Sequence, residues 1–407
     1  MAIYVIVKRT DFRLCMVATI ILIPVAVVFL VINFNKSAES SPSSSTNSTG
    51  PRATSTLQFL TIFSRHGNRP PLVSFPTWAY PEDNKEVWPF GPDPLTKLGR
   101  VKTYELGAKL RTLYDGFLDP LYYPKDFLMY STVTARTLQS AEDILAGLFP
   151  PTGFQVWNTD LKWQPIPVFP TYLEGTHLWD DPRSVCPKYF DAKSLSVAQF
   201  ENDYAANVTS MLTYLQPHTG INAGSATDTD LYTVWDCLVC GENQGLPLPD
   251  WAAPVYPEPM TTLMTKIFIA NSCGSDTMIR LAQGLLFQQM MGFMEAKVNG
   301  TAVPDRKVVC YSGHDTTILG IEAILGLPQA YDTIVKTGSA LIFELHKSAE
   351  SSNFFVQVLY IDGHSTDLEP AILNVPGCNS QCDFYTLRNL TAKYYNITDF
   401  NQECQAS

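Results

Sequence analysis

Arg65, His66 and Arg69 fall inside the stretch SRHGNRPP, residues 64–71, which follows the apolar run LQFLTIF. Far downstream, His314 and Asp315 are adjacent in SGHDTT, and Arg136 lies between the two stretches in STVTARTLQSA. These residue types suit one ligand well, a phosphate monoester. Guanidinium groups are planar, permanently charged and able to bind two oxygens at once. Three of them would neutralise the dianion and stabilise charge on a transferring phosphoryl group. A neutral imidazole can attack phosphorus, which splits one displacement into two. A neighbouring carboxylic acid can protonate the departing alkoxide. No cofactor or metal is needed for any of these steps. Gly67 lets the backbone turn tightly beside a ligand, and Pro70 and Pro71 stiffen the exit from the turn.

The three stretches must be brought together by the elements that carry them. LQFLTIF reads as a strand covered on both faces. DPLTKLGRVKTYELGAKLRTLYDG reads as a helix capped by Thr96. Its apolar side would start at Leu98 and Val101 and continue through Leu106, Leu110 and Leu113, with Gly116 as the stop. A strand to about Ser131 then leads through a turn into a helix carrying Leu138, Ile144, Leu145 and Leu148. KVVCYSGHDTTILGIEAILG repeats strand, turn and helix, and ALIFELHKSAESSNFFVQVLYIDG reads as a β-hairpin. The middle of the chain is rich in Trp, Pro, Asp and Tyr with weak periodicity, and it reads as an inserted, mostly irregular and helical cap. The expected fold is α/β, with a central mixed, mostly parallel sheet flanked by helices and a smaller mainly helical cap domain. Residues 57–154 and 271–407 would form the core and 155–270 the cap. In such sheets ligands bind at the carboxyl ends of strands, where all three polar junctions fall.

Arg65-His66-Gly67-Asn68-Arg69-Pro70-Pro71 resembles the RHGxRxP signature of the histidine acid phosphatases. SGHDTT resembles their downstream HD motif, PLTKLGRVKTYELGAKLRTLY their LTxxG helix, and STVTARTLQSA their STDxxRTxxSA stretch. The resemblance runs from Leu57 to Cys404 and is nearest the prostatic and lysosomal branch. It implies His66 as nucleophile, Arg65, Arg69 and Arg136 as phosphate ligands, and His314 as a further hydrogen-bond donor to phosphate. Asp315 would protonate the leaving oxygen. The resemblance also implies a disulfide between Cys186 and Cys404, and a homodimer. Val133 stands where the family usually has Asp, which bears on how Arg136 is oriented. The alternatives are a phytase of the same superfamily, or a catalytically silent cell-surface binding protein that keeps the fold. Acidic residues Asp180, Asp181, Asp228 and Asp230 in the expected cap argue against a highly phosphorylated substrate.

Taken singly, each of these residues has a plainer use. Arginines pair with surface carboxylates, and a His-Asp dipeptide is more often structural than catalytic. It is their combination in one motif that favours chemistry. Ser312, His314 and Asp315 form no serine-hydrolase elbow, since G-x-S-x-G is missing. His177, His218, His346 and His364 share no metal spacing, and the methionines of QQMMGFM read as core packing.

The chain has 407 residues and a formal charge of −11, which argues against a nucleic-acid partner. Its expected partner is a small-molecule or phosphoprotein phosphomonoester. Residues 14–32 form an uncharged apolar run after Lys8, Arg9 and Arg13, of a length that spans a bilayer. This predicts a cytoplasmic tail over 1–13, a transmembrane signal anchor over 14–32 and a Ser/Thr/Pro-rich stalk over 33–56. The catalytic region would then be extracellular or lumenal in the secretory pathway, or secreted if the anchor is cleaved. The lysosomal members carry their membrane segment after the catalytic domain, so lysosomal delivery is not expected. Eight cysteines follow the apolar run, and disulfides are expected in an oxidising compartment. Cys378 and Cys382 would close a small loop. Cys237 and Cys240 read as disulfide partners rather than zinc ligands, with their pairing and that of Cys273 and Cys310 left open. Glycosylation sequons begin at Asn47, Asn207, Asn299, Asn389 and Asn396.

Overall fold

The computed structural model describes residues 52–171 and 186–405. The expected anchor, most of the stalk, Asn47, His177, Asp180 and Asp181 lie outside the described residues. Among the described residues no helix is long and apolar enough to cross a membrane. The transmembrane reading is corrected accordingly: the body that carries the motifs has no spanning helix of its own.

The first strand, β1 (Leu57–Arg65), leads into helix α1 (Lys97–Leu113). Strand β2 (Phe127–Ser131) leads into α2 (Ala135–Leu148), and the short β3 (Phe169–Pro170) follows. Four helices come next: α3 (Pro187–Thr219), α4 (Asp228–Asn243), α5 (Met260–Ser272) and α6 (Asp276–Val298). Strand β4 (Val308–Gly313) and α7 (Asp315–Ile324) repeat the strand-turn-helix unit. The hairpin β5 (Ala340–Lys347) and β6 (Phe354–Ile361) is followed by β7 (Ala371–Leu373), β8 (Cys382–Asp383), α8 (Phe384–Tyr395) and α9 (Phe400–Glu403).

The sheet runs β3-β2-β4-β1-β5-β6-β7, with β8 also pairing β6. It is mixed. The β3-β2-β4-β1 half is parallel, and from β5 outward the strands are antiparallel. Strand β1 is central, and its alternate side chains go to opposite faces. Phe59 and Phe63 pack with Phe287, Met290, Ile318 and Phe384 from α6, α7 and α8. Leu60 and Ile62 pack with Leu106, Leu110, Ile144 and Leu148 from α1 and α2. That double burial is why the strand reads as a continuous apolar run. Met290, Met291 and Met294 are core residues, as their context predicted.

Thr96 caps α1 by accepting a hydrogen bond from the Gly99 N–H. The buried face of α1 differs from the expected one. Val101 is exposed, and Gly99, Thr103, Leu106, Leu110 and Leu113 face inward. The reason is the close backbone contact at Gly99 described below, which rotates the helix away from the purely apolar solution. From Pro187 onward the middle region is more helical than its texture implied. Helix α3 spans 33 residues but buries only scattered positions such as Phe200, Met211, Leu212 and Leu215, which leaves a weak periodic signal. It packs with α4, α5, Phe75 and Trp78 around a cluster separate from the two sheet faces.

Disulfides link Cys186 to Cys404 and Cys378 to Cys382. The expectation of further bridges is not met. Cys237, Cys240, Cys273 and Cys310 are buried free thiols. Cys237 and Cys240 sit inside α4, where one Sγ contacts the Val73 carbonyl and the other the Asp236 carboxylate.

Candidate active site

Three neighbouring parallel strands end together. Arg65 is opposite Gly313 in the β1-β4 register, and Ser131 is opposite Ser312 in the β2-β4 register. The residues that follow are therefore delivered to one edge. His66 follows β1, His314 and Asp315 follow β4, and Arg136 stands in the first turn of α2. The amino-terminal ends of α2 and α7 both point here, which adds positive potential for an anion. Ser312 ties β4 to α2 by donating to the Thr137 carbonyl at 2.8 Å.

The turn at His66 is held from several sides. Its N–H donates to the Gly313 carbonyl and its own carbonyl accepts from Gly338, both at 3.0 Å. Gly67 donates its N–H to the Ser140 hydroxyl at 3.0 Å. The glycine is needed for close approach: a Cβ there would lie 2.6 Å from the Gly99 carbonyl oxygen on α1. Sequence reasoning gave Gly67 to the ligand, and the structure shows it packed on a helix.

His66 is only 2% exposed. Its Nδ1 is 2.8 Å from the Gly67 carbonyl. A carbonyl only accepts, so Nδ1 carries the proton and Nε2 keeps its lone pair. Burial, and then the positive fields of Arg65, His314, Arg69 and Arg136, hold the imidazole well below its ordinary pKa. The ring lies 5.6 Å from that of His314, nearly edge to face.

Each arginine of the set is anchored by a carboxylate. Arg65 pairs with Asp315 at 2.7 Å and also donates to the Val335 carbonyl. Arg69 makes a bidentate pair with Asp236, both contacts at 2.9 Å, and reaches the Tyr232 hydroxyl at 3.4 Å. Burial works against the Arg69 cation, but Asp236, helped by Cys240 and Tyr232, more than offsets it and holds the guanidinium well above its ordinary pKa. Arg136 pairs with Asp93 and lies 3.4 Å from His314 Nδ1. The Nε–H groups of Arg65, Arg69 and Arg136 are buried without a protein partner. Arg100 and Arg111 share that trait elsewhere. What distinguishes the three is that they meet in one place.

His314 caps α7 and sits 3.0 Å from the Thr132 hydroxyl through Nε2. Thr132 donates its own proton to Thr137, so it accepts from His314. Burial, followed by Arg136, lowers His314 to about 4. Burial alone would raise the Asp315 carboxyl. Arg65, His314, the Thr316 N–H and Arg69 outweigh it and hold Asp315 below the usual carboxylate value.

His66, Arg69, Arg136, His314 and Asp315 all line one cavity of about 670 Å³. Its far wall includes Asp228, Tyr232, Phe268 and Asn271 from the helical region. Among the described residues no group of His, Cys, Asp and Glu is arranged to hold a metal ion. The structure thus brings together all six of the expected site residues. Sequence reasoning missed the carboxylates Asp93 and Asp236 and the acceptor Thr132. The remaining described histidines serve locally: His218 stacks on Trp251, His346 contacts Glu344, and His364 contacts Thr337.

Residues 56–361 match the histidine phosphatase superfamily (branch 2). The chain is 33% identical to lysosomal acid phosphatase of Homo sapiens over 362 residues, covering 87% of this chain and 82% of that protein. It is 31% identical to prostatic acid phosphatase of Bos taurus over 359 residues, covering 86% and 87%. Among solved structures, the apo form of Hafnia alvei phytase superposes with a TM-score of 0.61 at 18% identity, covering 86% of this chain and 98% of that one. That last likeness speaks for the fold alone. The turn at His66, the clustered arginines and a family match over most of the chain lead to one conclusion: this chain belongs to the histidine phosphatase superfamily, branch 2, as a histidine acid phosphatase.

Proposed function

We propose that this chain hydrolyses phosphate monoesters in two steps, with His66 Nε2 as the nucleophile. Arg65, Arg69 and Arg136 bind the phosphoryl oxygens and spread the transition-state charge. His66 Nε2 attacks phosphorus, the phosphorus–ester oxygen bond breaks, and Asp315 gives its proton to the leaving oxygen. Water then attacks the phosphohistidine, Asp315 takes its proton, and inorganic phosphate departs. His314 donates to a phosphoryl oxygen by turning its Nε2 proton away from Thr132.

The observation that carries this reading is the state of His66. Burial, with a facing cluster of guanidinium groups, keeps the imidazole neutral in acid, its proton fixed on Nδ1 by the Gly67 carbonyl. An ordinary histidine would be lost to protonation below its usual pKa of about 6.5. This one remains a nucleophile there.

A monophosphate ester fits the cavity better than a polyphosphorylated ring. Beyond the three phosphate-binding arginines, no permanent cation is among its described lining residues, and the far wall presents Asp228. The expected cap, residues 155–270, bounds the leaving-group side through its described helices α3, α4 and α5. Two disulfides fit an oxidising compartment. With the exposed sequons at Asn207, Asn299, Asn389 and Asn396 they support a secreted glycoprotein.

The test is a panel of phosphate monoesters at pH 5 with wild type and His66→Ala. Activity in wild type and none above background in the variant supports the reading. A variant that keeps full activity, or a wild type with none, sinks it; the latter would favour the silent binding protein.

A further inference from the structure

Asp93 occupies an uncommon backbone state. Its φ is +78°, the left-handed region that glycine enters freely and other residues enter at a cost. It lies between Pro92 and Pro94, whose rings fix their own φ angles and stiffen the loop. The next residues are strapped to α2 and to the His66 turn. Leu95 donates its N–H to the Gln139 side chain at 2.8 Å, and Thr96 donates to the Asn68 carbonyl at 2.9 Å. A strained non-glycine residue in so constrained a loop calls for a use of its side chain.

Both oxygens of that side chain are committed to the start of α2. Oδ2 accepts the Ala135 N–H at 3.0 Å, one of the helix's unpaired first-turn donors. Oδ1 takes the guanidinium of Arg136. Residue 133, just before the Thr134 cap of α2, is an exposed valine whose side chain cannot accept a hydrogen bond. The geometry points to Asp93 as the positioning residue for Arg136: a carboxylate imported from the loop before α1 aims the guanidinium into the phosphate site. Burial and the charge of Arg69 both work against the Arg136 cation, and Asp93 is the first group that opposes them. This inference rests on the phosphate-binding reading of the site.

The test separates the two. Inorganic phosphate binding is measured by calorimetry, which needs no turnover, for wild type, Asp93→Asn and Asp93→Gly. Glycine suits the left-handed backbone, and that relief offsets the lost Ala135 and Arg136 contacts, so Asp93→Gly is expected to melt near wild type. The expected result is phosphate affinity weakened about tenfold to a hundredfold in both variants at near-native melting temperature. Adding Val133→Asp to Asp93→Gly is expected to recover most of the loss. Wild-type phosphate affinity in both single variants would overturn the positioning role. So would melting temperatures lowered so far in both that the loss follows unfolding. A wild type that binds no phosphate sinks the reading of the site itself and this inference with it, whereas unaltered binding in the variants sinks this inference alone.

Discussion

The Asp315 carboxylate lies 2.7 Å from the Arg65 guanidinium, so the expected proton donor of the reaction rests, in the free enzyme, as a paired anion. Its lowered pKa means that it stays ionised further into acid than an ordinary aspartate. Substrate changes that balance. A phosphate dianion competes for Arg65 and adds negative charge nearby, and both effects raise the carboxyl's pKa. On the proposed mechanism the acid would arise when the ester binds, and low pH would help it arise.

Asp315→Asn should therefore discriminate between leaving groups. An alkyl phosphate needs the proton, and its kcat should fall about 10²- to 10⁴-fold. A p-nitrophenyl ester leaves well as the anion and should lose far less. Parallel kcat measurements on the two esters check this, and equal losses would remove Asp315 from the proton-donor role.

Gly67→Ala should damage catalysis without touching a charged group. The added Cβ would sit 2.6 Å from the Gly99 carbonyl oxygen, which is backbone and cannot swing aside. The turn must shift and carry His66 with it. Overpacking of this kind costs about 1–3 kcal/mol of stability, and a displacement near 1 Å costs about 10²-fold in rate. Thermal melting and kcat/KM on the purified variant read both.

Stability should fall with rising pH because of Glu322. This α7 residue is 2% exposed, and burial raises its carboxyl to about 7, with the Gln329 side chain working against the rise. Its charge is felt by Cys273 and Tyr360, the ionisable groups packed nearest. A carboxyl whose folded pKa is raised binds its proton more tightly in the native state. Its contribution is complete below the unfolded value of 4.5 and is lost as pH rises through about 7. The size is about 3 kcal/mol as an order of magnitude. Denaturant titrations at pH 5 and pH 8 should show Glu322→Gln stabilising at the higher pH far more than at the lower. Equal shifts at both would place the titration elsewhere.

The His66 turn was legible because its cause is local. A strand buried on both faces reads as a continuous apolar run, and Arg65, His66 and Arg69 stand at its carboxyl end. The strand-turn-helix units around Arg136 and Asp315 were legible for the same reason. Asp93 and Asp236 were not. Each meets its arginine only through the tertiary fold, and nothing in GPDPL or in the sequence around Trp235 marks a carboxylate that points at a guanidinium. Helix α3 was underestimated because it buries a few scattered side chains instead of a stripe. Val101 was placed in the core because apolar spacing cannot see that Gly99 and Gly107 bring α1 into backbone contact with its neighbours. The thiols of Cys237, Cys240, Cys273 and Cys310 were expected to pair, yet all four are buried and free. A cysteine count does not say which side chains face each other.

The most direct measurement is to mix enzyme with an aryl phosphate at acidic pH, quench within one turnover into alkali, and map the phosphoryl group by peptide mass spectrometry. The account predicts one phosphoryl group on the His66 ring, absent from His66→Ala. A phosphoryl group on any other residue, or turnover at the wild-type rate in His66→Ala, would contradict it.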